Sequence, residues 1–382
     1  MTTCGDPSLS EGQKLLRDEV RRFCEDRIRP GVAERDRSHT FPADILQGLG
    51  EMGLLGMTVA EEYGGSDLSG LDLVIVIEEI ARVCPSVAVS VSVSNSVCCW
   101  PINNFGSDEL KKRVLPVLAS GSSLGGFALT EPGSGSDAAA LQTRAERQGE
   151  SWILKGEKAW ITNAGAAEFY VVFARTNSQT GHRGISAFVV PADSPGLSIG
   201  PQEEKLGLRS SLTASVLFEN CRVSEEDLLG REGQGFKIAL ATLDHSRLGI
   251  AAQSVGIHQR ALELAVDYAK QRVQFGRPIA DFQAIRFSIA DMATQLEASR
   301  CLCRAAAAGE NSANSGRLAA EAKLFAAEAA NRACWDSLQI HGGNGFSEEY
   351  EIARLYRDVR VTTIYEGTSE MQRRVIARHL LQ

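Results

Sequence analysis

No stretch of the chain reaches the roughly 18 uninterrupted apolar residues of a membrane-spanning helix, so no membrane residence is expected. The opening residues MTTCGDPSLSEGQ lack a basic region followed by an apolar core, and they lack the Arg-rich amphipathic character of a transit peptide. Neither a secretory nor an organelle address is read there. Charge of one sign never accumulates into a long run, and the net charge is −8. That balance argues against nucleic acid and anionic membranes as main partners. The nine cysteines are odd in number and share no repeated spacing, which fits reduced thiols better than a disulfide framework. Cys98–Cys99 and Cys301/Cys303 lack the His or second Cys pair of a zinc site, so no metal is expected. Together these absences point to the cytoplasm. No HExxH motif or P-loop lysine is present either, which removes the zinc-hydrolase and nucleotide-hydrolysis signatures.

What the chain does contain is 382 residues, enough for two or three domains, in a patterned order. Residues 1–120 read as helical. EGQKLLRDEVRRFCEDRI places Leu15, Leu16, Val20, Phe23 and Ile28 near helical spacing, with Pro30 expected to close the helix. One segment there, VAVSVSVSNSV, alternates with period two and reads on its own as a β-strand, with a buried serine-bearing helix as the competitor. Residues 121–231 change character. SWILKGEKAWITN, EFYVVFART, GISAFVVPA and TASVLFENCRV are short, β-branched and aromatic, and separated by turn residues, as in an antiparallel β-domain. From 232 to 382 four long amphipathic segments with short connections read as a helical bundle, the first long enough for one very long helix.

Several clusters could carry chemistry. FALTEPGSGSDAAA (127–140) opens the backbone at Gly133, Gly135 and Ser136 as a phosphate loop would, although no parallel βαβ unit surrounds it and a domain junction explains it as well. KAWITNAG (158–165) puts Trp160 and Thr162 on one side of a strand, a flat ring beside a hydroxyl, which suits a planar cofactor or a sheet core. QRVQFGRPIADFQ gathers Arg272, Gln274, Arg277 and Gln283 around an interhelical turn. In LQIHGGNGF, helix capping explains Gly342 or Gly343 singly but less readily both, and His341 reads as structural. Asp244 and Arg247 share one helix face in TLDHSRLG, where a surface ion pair is the default. Near the end, IYEGTSE holds Glu366 between Tyr365 and Gly367, either a solvated loop carboxylate or a base in a dry pocket.

In this order and spacing, ALTEPGSGSD, KAWITN, QRVQFGRPIADFQ, LQIHGGNGF and IYEGTSE resemble the acyl-CoA dehydrogenase family over essentially the whole chain, most of all its short-chain, butyryl-CoA type. The resemblance implies a multidomain α+β fold: an N-terminal helical domain, a middle antiparallel β-barrel or sandwich, and a C-terminal four-helix bundle. It turns VAVSVSVSNSV into a buried helix. It implies FAD, acyl-CoA as substrate, an electron-transfer flavoprotein as acceptor, and a homotetramer built as a dimer of dimers. Carried over residue by residue, Phe127, Leu129 and Thr130 face the flavin, with Trp160, Ile161 and Thr162 along another part of it and Ser136 near CoA and the pyrophosphate. Arg272 and Gln283 hold the diphosphate of a neighbouring subunit's FAD. Gln339, Ile340, Gly342 and Gly343 take the adenine half, and Thr368 and Glu370 close the site. Asp244, Arg247 and Gly367 lie along the acyl-CoA channel, and Trp100 shortens the acyl pocket if its helix lines it. Glu366 matches the family's base, which removes the α-proton while flavin N5 takes the β-hydride to give trans-2-enoyl-CoA. The thioester oxygen is held by the base's own backbone N–H and a ribityl hydroxyl. Some branched-chain and long-chain members carry the base on the helix of LDHSR instead, where this chain has His245 and Ser246. An acyl-CoA oxidase using O2 and a non-catalytic flavin- or CoA-binding homologue are the alternatives.

Overall fold

The computed structural model describes residues 9–381. Its first third is helical: α1 Glu11–Phe23, α2 Val32–Ser38, α3 Ala43–Glu51, α4 Gly70–Val83, α5 Pro85–Val93, α6 Trp100–Phe105 and α7 Asp108–Ala119. A reciprocal cap between Ser10 and Gln13 starts α1. Pro30 does not close the run that follows. A π-helical segment Cys24–Ile28 and a 3₁₀ turn Arg29–Gly31 carry the chain into α2. Proline is tolerated at the start of a new helical turn, where its missing N–H has no intrahelical partner to lose.

The alternating segment is helical, as α5 and a π-helical continuation, Ser94–Cys99. Every residue from Pro85 to Cys99 is buried, so no solvent face exists for a two-residue period to mark. Its polar groups are satisfied locally and across the fold. Ser96 donates to the Ser92 carbonyl at 2.6 Å, and the Asn95 amide donates to Leu54 O and accepts from Met57 N.

One sheet follows: β1 Leu124–Ala128, β2 Arg144–Gln148, β3 Ser151–Thr162, β4 Ala167–Arg175, β5 Ile185–Pro191, β6 Leu197–Gln202, β7 Thr213–Ser224 and β8 Leu228–Leu229. The order is β6-β7-β3-β2-β4-β5-β8, with β1 beside β4. The pairs β2–β3, β3–β7, β4–β5, β5–β8 and β6–β7 are antiparallel. The sheet is nevertheless mixed, because β1 runs parallel to β4 and β2 meets β4 in parallel at Arg144↔Arg175. Neither pair is joined by a hairpin, and a tight turn is what would impose the antiparallel sense.

The last third holds α8 Gly235–Gln271, a small ribbon of β9 Val273–Gln274 with β10 Arg277–Pro278, then α9 Gln283–Ala308, α10 Ser315–His341, α11 Glu351–Val359 and α12 Ser369–Leu381. The single very long helix is α8, at 37 residues. The expected interhelical turn is a two-residue hairpin, with Phe275 and Gly276 both left-handed at φ 53° and 76°. The short α11, which buries Ile352, Leu355 and Val359, adds a helix that the sequence pattern did not announce. A single apolar core joins the two helical ends of the chain, running from Val20, Ile77 and Ile80 to Val255, Met292, Ala326 and Leu355. The sheet keeps its own core around Trp152, Tyr170 and Phe188. Among the described residues no helix is long and apolar enough to cross a membrane.

Candidate active site

Between α11 and α12 the chain makes a 3₁₀ turn, Arg360–Thr363, and then a tight loop in which Glu366 and Gly367 are both left-handed, at φ 52° and 87°. For a residue with a Cβ that conformation costs roughly 1–2 kcal/mol, so something must hold it. Gln372 Nε2 donates to Glu366 O at 3.1 Å and to Gly367 O at 2.8 Å, and Lys323 Nζ donates to Gly367 O at 2.8 Å. Thr368 Oγ1 accepts from Met371 N at 3.3 Å, capping α12. A Cβ at position 367 would lie 2.8 Å from Gln372 Nε2, which explains the glycine.

The Glu366 carboxylate turns onto α8, where Ser246 Oγ donates to it at 2.5 Å. Burial raises its affinity for a proton above the ordinary carboxylate value. The Ser246 hydroxyl and the more distant charges of Arg247 and Lys323 oppose that shift without cancelling it. The Glu366 backbone N–H finds no acceptor among the described residues. Next to it, the Tyr365 hydroxyl donates to Gln253 Oε1. Tyr365 also borders a small apolar cluster of Val89, Val93, Val97 and Leu208, with Phe127 and Val361 packed against it. A carboxylate poor in donors, beside an apolar wall and a free N–H, can take a proton from a weak carbon acid and leave a hydrogen-bond donor for the oxygen that gains charge.

The α8 helix carries two further expected residues, of which Arg247 lies within electrostatic reach of this carboxylate. Arg247 is buried and ion-paired with Asp244, so the pair is no surface decoration on the arginine side. Trp100 and Asp244, with His245 and Glu310, line a cavity of about 410 Å³ that does not include Glu366. Trp100 stacks on His245 with ring centroids 4.7 Å apart, and burial lowers the histidine to about 4, leaving it neutral.

The two segments expected to face the flavin meet where the chain after β1 runs beside β3. Ala159 N donates to Thr130 O at 2.9 Å, and Lys158 Nζ donates to Leu129 O at 3.2 Å, tying the two segments together. A register shift between Lys158 and Ile161 puts Trp160 at φ 61° and leaves it 61% exposed, with half-buried Thr162 on the same open side. Ile161 and Leu129 are buried, so neither presents its side chain on this surface. Phe127 is half-buried, edge-on to Phe173 at 5.0 Å. Ser136 is exposed, and Gly133 and Gly135 beside it have open space where a Cβ would stand.

Arg272, Gln283, Gln339, Gly342 and Gly343 are exposed at the far ends of the bundle helices, while Ile340 joins the core. Among the described residues, none of these six bonds to Glu366 or to the Trp160 wall. Gly342 ends α10 at φ 58°, whereas Gly343 has open space around it and no capping duty. His341 is structural, with Nδ1 2.7 Å from Ser337 O and its ring stacked on Tyr268 at 4.3 Å. Glu370 is exposed at the start of α12. The sequence reading missed Lys323, Gln372 and Gln253. The lysine alone left a trace: it stands on a helix face otherwise made of alanines.

An exposed indole on a mixed sheet and a carboxylate of raised proton affinity are features that suit an oxidoreductase working on carbon–hydrogen bonds beside a planar cofactor. Sequence models of the acyl-CoA dehydrogenase N-terminal, middle and C-terminal domains match residues 10–122, 126–221 and 233–381, and the chain belongs to the acyl-CoA dehydrogenase family of enzymes. It is 48% identical to the mitochondrial short-chain specific acyl-CoA dehydrogenase of Homo sapiens, over 98% of this chain and 91% of that one. It is 47% identical to an acyl-CoA dehydrogenase of Bacillus subtilis, over 98% and 99%. The butyryl-CoA dehydrogenase structure from Megasphaera elsdenii superposes with a TM-score of 0.96 at 40% identity, covering 99% of this chain and all of that one. Enzymes of this family are FAD flavoproteins. The residues here fit that group: Trp160 leaves most of its surface open beside the Thr162 hydroxyl, and the uncrowded glycines 133, 135 and 343 leave backbone accessible.

Proposed function

We propose that the chain oxidises short-chain acyl-CoA thioesters, straight or short-branched, to trans-2-enoyl-CoA, with Glu366 as the base that removes the α-proton. The observation that carries this reading is the Glu366 carboxylate itself, raised above its ordinary proton affinity by burial and holding a single side-chain donor, Ser246. A solvated carboxylate is too weak a base for a thioester α-proton, and withdrawal from water strengthens it. The free Glu366 N–H is the donor for the thioester oxygen, so one residue removes the proton and steadies the charge that results. What FAD supplies when bound is acceptance of the β-hydride.

Phe127, Leu129 and Thr130 on one segment, and Trp160, Ile161 and Thr162 on the other, are the residues proposed to hold the flavin, with Thr368 and Glu370 closing over it. Ser136 lies at the pyrophosphate and CoA end. Arg272 and Gln283 reach the diphosphate, and Gln339, Ile340, Gly342 and Gly343 the adenine half, of FAD held by a second copy in a homotetramer made as a dimer of dimers. The exposure of all of these but Ile340, at the ends of the bundle helices and with no bond to Glu366, supports that assignment. Asp244, Arg247 and Gly367 line the thioester path, and Trp100 narrows it. The valines on α5 beside Tyr365 supply a small apolar surface suited to a short acyl group. An electron-transfer flavoprotein is the proposed acceptor and the cytoplasm the proposed compartment, in keeping with eight free thiols among the described residues. The proposed domain limits are 1–120, 121–231 and 232–382. The test is flavin bleaching by an acyl-CoA panel from about four to about sixteen carbons, with isobutyryl- and 2-methylbutyryl-CoA included. Fastest bleaching by four-carbon substrates is expected, and a preference for the longest chains overturns the substrate assignment.

A further inference from the structure

The loop that carries Glu366 is strained, and two wholly buried side chains from different helices converge on the carbonyl just beyond it. Lys323 of α10 and Gln372 of α12 are both 0% exposed. Lys323 stands on a helix face lined by Ala319, Ala320, Ala326 and Ala327, all buried, where an ammonium group is costly without compensation. It has no carboxylate within ion-pair distance among the described residues, and its one hydrogen bond goes to Gly367 O. Gln372 donates to that same oxygen and to Glu366 O, while its own Oε1 is buried without a partner. The two lone pairs of the Gly367 carbonyl are therefore both used. Two buried polar groups spent on one backbone oxygen make sense if the orientation of that peptide matters.

We infer that Lys323 and Gln372 are positioning residues for Glu366, fixing the Gly367 carbonyl and with it the left-handed turn that aims both the carboxylate and the Glu366 N–H at the substrate. The inference rests on the reading of Glu366 as the base. Without the clamp, relaxation of φ at Glu366 out of the left-handed region swings carboxylate and N–H together, so both contributions to proton removal are lost at once. Lys323 has a second effect through its charge. Burial lowers it to about 8, so it is largely protonated at neutral pH. The charged groups around it are Glu366 from the loop, Arg247 from α8, Glu328 on its own helix and Glu370 of α12. Around Glu366 they are Arg247 and Lys323, so the ammonium favours the ionised, proton-accepting form of the base.

The experiment compares Lys323→Met and Gln372→Leu with wild type and Glu366→Gln, all as FAD-loaded enzyme. It reads kcat and KM for butyryl-CoA, the pH profile of kcat, thermal unfolding, and carboxyl infrared titration of Glu366. Lys323→Met is expected to lower kcat roughly 10–100-fold with little change in KM. It should also move the acid limb of kcat and the infrared titration upward by on the order of one unit. Gln372→Leu is expected to lower kcat by a similar factor without moving the Glu366 titration, because the amide is neutral. A folded Lys323→Met enzyme with wild-type kcat and an unmoved titration overturns the inference. If that variant does not fold, unchanged kcat in Gln372→Leu overturns it instead. Retention of turnover by Glu366→Gln is the separate signal that the base assignment itself is wrong.

Discussion

Glu131 is buried and Glu366 half-buried, yet their surroundings treat their charge in opposite ways. Glu131, in the segment after β1, accepts from Lys158 Nζ at 2.7 Å and from the backbone N–H groups of Gln142 at 2.5 Å and Thr143 at 2.9 Å. Burial works to raise its proton affinity, but Lys158 and the surrounding donors outweigh burial and hold the carboxyl below its ordinary value. Lys158 bears the cost of the same burial, which lowers it to about 8 despite the carboxylate beside it. At Glu366 a single hydroxyl and two distant cations face the burial, and burial prevails. A buried carboxylate supplied with donors is a brace: Glu131 and Lys158 lock β1 to β3 behind the Trp160 wall. One kept short of donors is available for proton transfer.

The sharpest way to break this contrast is to neutralise each carboxylate in turn. Glu366→Gln should retain FAD and fold while substrate-dependent flavin reduction falls by roughly 10²–10⁴-fold, and near-normal reduction would remove the base assignment. Lys158→Met strips the brace of its partner and should cost about 3–5 kcal/mol of stability, read by denaturant unfolding, whereas a loss confined to turnover would make Lys158 part of the chemistry. The two carboxylates should then show opposite linkage between pH and stability. Glu131 has a depressed folded value, so its contribution is present above the ordinary carboxylate range and lost as pH falls through the depressed value. The deficit of Glu131→Gln should therefore shrink on acidification. Glu366 has a raised folded value, so ionising it costs stability as pH rises from the ordinary range through the raised one. Glu366→Gln should gain on wild type across that same rise, and parallel trends for the two variants would erase the distinction. The smallest effect is expected from Ser246→Ala, which removes a hydrogen bond worth about 1.5–3 kcal/mol to the charged form. The acid limb of turnover should move upward, and an unmoved limb would show that the hydroxyl does not support the ionised base.

How much of this was legible in the sequence differs between the two sites. Gly367 and the helix start at Thr368 leave local marks in residue type, whereas the role of Glu366 was open locally and came only through the family resemblance. The shared accessibility of Trp160 and Thr162 on either side of buried Ile161 was readable because the alternation survives the register shift before it. The helical nature of Pro85–Cys99 was hidden by its complete burial, which removes the amphipathic contrast that periodicity measures. The parallel pairing of β1 with β4 had no turn to announce it. Gln372, Gln253 and the donors of Glu131 act across long sequence separations, where no local pattern records a contact. Pro30 misled because its position within a helical turn, not its presence, decides whether it breaks a helix.

Proton removal by Glu366 turns on the protonation of that one side chain, and carboxyl infrared spectroscopy measures it directly, as the difference between wild type and Glu366→Gln across a pH titration of the FAD-loaded enzyme. The prediction is a protonated-carboxyl band, absent from the variant, that persists above the ordinary carboxylate range before it disappears. A Glu366 band that titrates at or below that range would contradict the claim that burial prepares this carboxylate to act as the base.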